Sequence, residues 1–132
     1  MAATHSAAAL QASTDAVTAL LGGDNAALIF RISPSSVASP GTAVATLTFS
    51  ATPFGAAASS GIATANSITS DTSAAGNASP VAYATMEDSA GTVVVHLEVS
   101  ASGKDIDMSN GLTVAAGDTV SCSSLTYQAI SG

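Results

Sequence analysis

The stretch "EDSAGTVVVHLEV", residues 87–99, decides how this chain folds. Two acids and a Ser-Ala-Gly turn lead into seven residues in which Val93, Val95, Leu97 and Val99 alternate with Val94, His96 and Glu98. Successive side chains of a strand point to opposite faces, so this period of two predicts a β-strand with one apolar side. The run before it, "VAYATMED" (81–88), reads as a second strand, with Val81, Tyr83 and Thr85 on one face. Between them "DSAG" (88–91) reads as a hairpin loop, in which Gly91 can take a left-handed conformation. The unit is expected to be a hairpin whose valine stripe faces the core.

The same reading extends in both directions. In "ALIFRI" (27–32), Leu28, Phe30 and Ile32 alternate with Ile29 and Arg31, and Pro34 should end the strand. "PGT" (40–42) is a turn, and "AVATLTF" (43–49) sets Ala45, Leu47 and Phe49 against Thr46 and Thr48. "TPFGAAASSG" (52–61) is a loop in which Phe54 should plug the core edge. "IATANSITS" (62–70) is a weak strand, and 71–80 is a polar loop. Beyond the hairpin, 100–105 turns, and "DIDM" (105–108) forms a short strand with Ile106 and Met108 inward. "LTVAAGD" (112–118) leads into a last strand, "TVSCSSLTYQAI" (119–130). Its apolar parity moves from Val120 and Cys122 to Leu125 and Tyr127, which predicts a bulge or edge switch near Ser123-Ser124. About eight short antiparallel strands separated by Gly, Ser, Asn and Asp turns predict an all-β sandwich or jelly roll.

One helix is expected ahead of the strands. In "TDAVTALL" (14–21), Ser13 or Thr14 can cap the N-terminus, Asp15 complements the helix dipole, and Gly22-Gly23 stops the element. Residues 1–13 are alanine-rich with few large apolar side chains, and read as a flexible arm ahead of a single domain spanning 14–132.

Composition narrows the function. At 132 residues one domain is the default. Charged residues are 8% of the chain, against roughly 25% in ordinary globular proteins. Aromatics are 4% and tryptophan is absent, so the core must be built from small and β-branched side chains. The net charge is −7, with Arg31 and Lys104 the only strong cations. Two cations cannot neutralise a row of phosphates, which argues against nucleic acid and against anionic membranes as partners. The single cysteine, Cys122, permits no intrachain disulfide and fits synthesis in a reducing cytoplasm. "MAATHSAAALQAS" lacks the cationic and leucine-rich regions of a signal peptide, and no apolar run approaches the length of a transmembrane helix.

Several residues invite a chemical reading. His96 lies opposite the valine stripe, flanked by Glu98, but a catalytic histidine needs a nucleophile and an orienting partner within reach. No Gly-x-Ser-x-Gly element occurs. "DIDMSNG" places Asp105, Asp107 and Asn110 at the spacing of a calcium loop, yet the glycine and glutamate such a loop requires fall on Asn110 and Ala116. Cys122 sits at apolar strand parity with no local cation, as an inert thiol would. "NAS" (77–79) matches a glycosylation sequon that is followed by Pro80. Glu87-Asp88 sits at a hairpin tip, and nothing faces these acids across a cleft as glycoside hydrolysis requires. No catalytic, cofactor-binding or metal-ligating residue is therefore assigned, and an enzyme is not expected.

The order of elements resembles a known group. "LIFRI", "ATLTFSATPFGAAASSGIATANSI", "GNASPVAYATMEDSAGTVVVHLEV" and "AAGDTVSCSSLTYQ", following a helix that ends in Gly-Gly, are similar to small structural proteins of tailed bacteriophages. The resemblance spans about residues 14–128 and rests on turn and strand signatures. "VAYATMED" stands where a strand containing Trp and Arg is usual. The resemblance implies a virion location after synthesis in the bacterial cytoplasm. It implies a capsid decoration (cement) role on the outer shell, the major capsid protein as partner, and a homo-oligomer, with a trimer favoured. The alternatives are a tail or fibre component, or a module that binds host-surface carbohydrate. No cofactor is implied.

Overall fold

The computed structural model describes residues 3–32 and 37–130. Helix α1 (Ala7–Ala19) precedes strands β1 (Ala27–Arg31), β2 (Ala43–Phe49), β3 (Ile62–Thr64), β4 (Ile68–Thr69), β5 (Tyr83–Glu87), β6 (Val93–Ser100), β7 (Ile106–Asp107) and β8 (Thr126–Gln128). Six strands form one curled, half-barrel sheet in the order β4-β2-β1-β5-β6-β7, and β3 pairs with β8 in a small second sheet. The chain is thus mostly β with one short helix. Pro34, expected to end the first strand, lies outside the described residues.

The 87–99 stretch is a hairpin. β5 and β6 are antiparallel, with Tyr83 opposite Glu98 and Thr85 opposite His96. The Asp88 amide donates to the Thr92 carbonyl at 3.1 Å, and the Gly91 amide to the Asp88 carbonyl at 3.0 Å. Gly91 has φ +84°, a value glycine adopts without strain. The Asp88 carboxylate accepts the amides of Ala90 and Thr92 at 3.0 and 2.9 Å, which fixes the turn.

Two details of the stripe differ from the expectation. Val95 faces Met86 while Val93 faces Glu87, so Val94 is the extra residue of a β-bulge. One inserted residue reverses the faces beyond it. Val94, Val95 and Leu97 pack on the core, where Val99 is itself buried, and Val93 takes the side of Glu87. On β5 Ala84 and Met86, opposite Leu97 and Val95, belong to the core, and Thr85 at the other parity is buried as well. "VAYATMED" carries apolar atoms at both parities, so its pattern alone could not select the face.

Other boundaries moved for local reasons. The strands are not all antiparallel: β7 runs parallel to β6, with Val99 opposite Ile106 and Ser100 opposite Asp107. Only two residues pair, so the short link 101–105 suffices where a longer parallel ladder would need a crossover. "IATANSITS" divides between the two sheets as β3 and β4. The last strand is regular only at Thr126–Gln128; upstream Val120 makes an isolated bridge to Asp71, and Ser123-Ser124 lie in the interruption.

The helix begins at Ala7, so residues 7–13 belong to it and not to an arm. Ser6 is the actual N-cap, its hydroxyl accepting the Ala9 amide at 3.1 Å, and the alanines that follow are the strongest helix formers. Thr14 and Asp15, expected as cap and first turn, instead bind other elements. The buried Thr14 hydroxyl donates to the Gly61 carbonyl and accepts the Ala129 amide at 3.0 Å. Asp15 accepts the Ala57 amide at 2.8 Å, and Gln11 donates to the Ala57 carbonyl at 3.2 Å. Polar bonds dock this helix as much as Leu10 does, so a weakly apolar segment is held in place.

The core lies on the concave face of the large sheet. Leu28, Phe30, Leu47, Phe49 and Met86 come from its strands, and Leu21, Phe54, Val81, Val114, Val120 and Leu125 close over them. Burying each larger side chain contributes about 1.5–3 kcal/mol. Phe54 does plug the edge, its ring tilted 42° against Phe49 at 5.7 Å.

Candidate functional site

The sheet has a second, polar buried face. Arg31 and Glu87 are 8% and 6% exposed, although each is charged and sits within a strand. The Arg31 guanidinium donates from Nη2 to Glu87 Oε2 at 2.7 Å, from Nε to Thr85 Oγ1 at 3.0 Å, and from Nη1 to the Gly41 carbonyl at 2.7 Å. The Thr85 hydroxyl in turn donates to Glu87 Oε2. Each of the three guanidinium nitrogens has an acceptor, and a buried ion pair is tolerated when further hydrogen bonds support it. The sequence reading left Arg31 and Glu87 unconnected. Their signal was present: two opposite charges, each inside a run patterned as a strand, at positions that share a face once β1 and β5 are paired.

His96 lies on this polar side, opposite Thr85, with its ring 5.0 Å from that of Tyr83. The Thr85 hydroxyl donates to Glu87 and accepts from Arg31. That arrangement ties Thr85 into the Arg31–Glu87 cluster. Glu98, the flanking acid, pairs with Lys104 at 2.8 Å on the surface. The lysine draws the Glu98 carboxyl below its usual range, and the carboxylate raises the lysine in return.

Several aspartates hold backbone amides. Asp71 accepts the amides of Thr46 and Ser73 at 2.8 and 2.9 Å, and Asp118 accepts that of Ala115 at 2.9 Å. In the segment that suggested a calcium loop, Asp105 accepts the Glu98 amide at 2.8 Å and Asp107 that of Lys104 at 3.3 Å. Among the described residues no three His, Cys, Asp or Glu side chains come together as a metal site would require. Asn77, from the sequon, accepts the Ser79 amide at 2.9 Å within its own turn.

A hollow opens beside β7. A cleft of about 640 Å³ lies between residues 105–111 and 118–126, with Phe30, Val114, Val120 and Leu125 among its walls. A smaller hollow of about 270 Å³ adjoins it, bounded by Met86, Leu97 and Tyr127, and shares Asp105, Leu125 and Thr126 with the first. Cys122 borders the cleft, half-buried, its thiol donating to the Ser124 carbonyl at 3.4 Å. Burial pushes that thiol above its ordinary range and so disfavours the reactive thiolate.

Comparisons with protein-family models, with curated proteins and with solved structures found no match to this chain.

Proposed function

We propose that this chain is a bacteriophage capsid decoration protein, binding the outer surface of the major capsid protein and strengthening the shell by bridging adjacent subunits. The reading starts from the order of turn and strand signatures over residues 14–128. The observation that carries it is how the charged groups are used. Both cations are held by glutamates, and the aspartates Asp15, Asp71, Asp88, Asp105, Asp107 and Asp118 each hold a backbone amide. Side chains of this kind serve adhesion by a rigid surface better than they serve chemistry.

The exposed skin supports the same reading. It is rich in Ala, Ser and Thr, as at Ala56, Ala58, Ser59 and Ser60, side chains that lose little rotamer entropy on contact. On this reading the two sheets are a reduced sandwich, and a homotrimer at a three-fold position makes attachment multivalent. The test uses shells purified without the protein. Added protein should saturate them at a fixed number of copies per subunit and raise their disruption temperature. Absence of binding, or labelling confined to tails, overturns the proposal.

A further inference from the structure

Both sheets end at the cleft. β7 is the last strand of the large sheet and β8 bounds the small one, so among the described residues each pairs with a strand on one side only, and residues of both line the hollows there. Between them lie the two hollows, with Met86, Leu97, Val120 and Leu125 among their walls. Two edge strands thus border one space whose walls are mostly polar, with a few aliphatic side chains among them. Backbone groups at a sheet edge are a template for another chain.

The charge around this space is one-sided. Asp105, Asp107 and Asp118 line it, and no Lys, Arg or His does. Each carboxylate is held by one backbone amide, and an ionised carboxylate can accept several hydrogen bonds, so each keeps capacity for an incoming donor. The occupant cannot be a segment of this same chain offering a free cation. Arg31 is buried against Glu87 and Lys104 is paired with Glu98, and these are the only Lys and Arg in the sequence.

We propose that the cleft is a docking slot for an extended, lysine- or arginine-bearing segment of a different protein, which adds as a strand between β7 and β8. Alternate side chains of the guest meet Leu97, Val120 and Leu125, and its cations meet Asp105, Asp107 and Asp118. The inference does not depend on the capsid reading, because its test needs no capsid.

The probe is a set of labelled ten-residue peptides with alternating valine and threonine: one flanked by lysines, one flanked by glutamates, and one cationic with proline at its centre. Binding is read by fluorescence anisotropy and by amide shifts in the intact protein. The lysine peptide should bind and shift the amides of Ile106, Val120 and Thr126–Gln128. The glutamate and proline peptides should bind at least about tenfold more weakly, through lost charge pairing and lost backbone donors respectively. The triple variant D105N/D107N/D118N keeps the oxygen that accepts each backbone amide and removes the charge; it should lose about tenfold for the lysine peptide. If that variant unfolds, D107N alone, at the most weakly bonded of the three, serves instead. No binding by any peptide at millimolar concentration, equal binding of all three, or shifts confined to another surface overturns the proposal.

Discussion

Arg31 and Glu87 stand on neighbouring strands four register positions apart, and still meet at 2.7 Å. Arg31 is level with Tyr83, whereas Glu87 is level with Ala27. The guanidinium must therefore run back along the strand, past Thr85, to reach the carboxylate. Ala27, a small side chain opposite Glu87, leaves room for this. The pair joins the two central strands of the large sheet on the side away from the aliphatic core.

Removing one partner leaves the other charge buried alone. Arg31→Ala or Glu87→Ala should each cost about 3–5 kcal/mol, read as a lower urea midpoint. The double change R31M/E87L removes both charges and should recover most of that loss. Equal, additive losses in the two single variants and the double would show that the contact does not matter.

Thr14→Val tests how the helix is held. The shapes match, but the Gly61 carbonyl and the Ala129 amide both lose the Thr14 hydroxyl. An unsatisfied buried polar group costs about 1–3 kcal/mol. The variant should be destabilised by that order, with faster amide exchange at Ala129. Thr14→Ser, which keeps the oxygen, should retain slow exchange there.

Gly76 marks the closest backbone approach. It has φ +71°, and an added Cβ would lie 2.3 Å from the Ala116 nitrogen. Gly76→Ala should cost about 2–5 kcal/mol through strain and overpacking. Gly91→Ala, at a similar φ with nothing within 4 Å, should cost only about 1–2 kcal/mol. Thermal melts of the two variants compare directly.

Cys122 gives a pH prediction. Its folded thiol is raised by burial, so the folded state holds the proton more tightly than the unfolded one. Its contribution to stability is complete below the unfolded thiol range and declines as pH rises through the folded value. Alkylation at pH 8 should be slower in the native protein than in urea, and Cys122→Ser should flatten the alkaline loss of stability. Equal alkylation rates in both states would contradict the burial.

Much of the architecture was written in local pattern. Strict alternation in "AVATLTF" and the turn chemistry of Asp88 and Gly91 are properties of a few neighbouring residues, so β2 and the β5–β6 hairpin were legible where they stand. The helix start was misread because two signals compete. Ser6 and Ser13 both have capping chemistry, and only the docking of Thr14 and Asp15 onto residues 57–61 and 129 decides between them.

The sequence by itself determined that this chain is strand-rich, acidic and poor in side chains that reach for phosphate, since composition and period-two patterning depend on no distant contact. Tertiary structure alone decided the bulge at Val94, the parallel placement of β7, and the meeting of Arg31 with Glu87. Each depends on which strands become neighbours and in what register. A shift of one residue exchanges the two faces of a strand, so these features exist only once the whole sheet has formed.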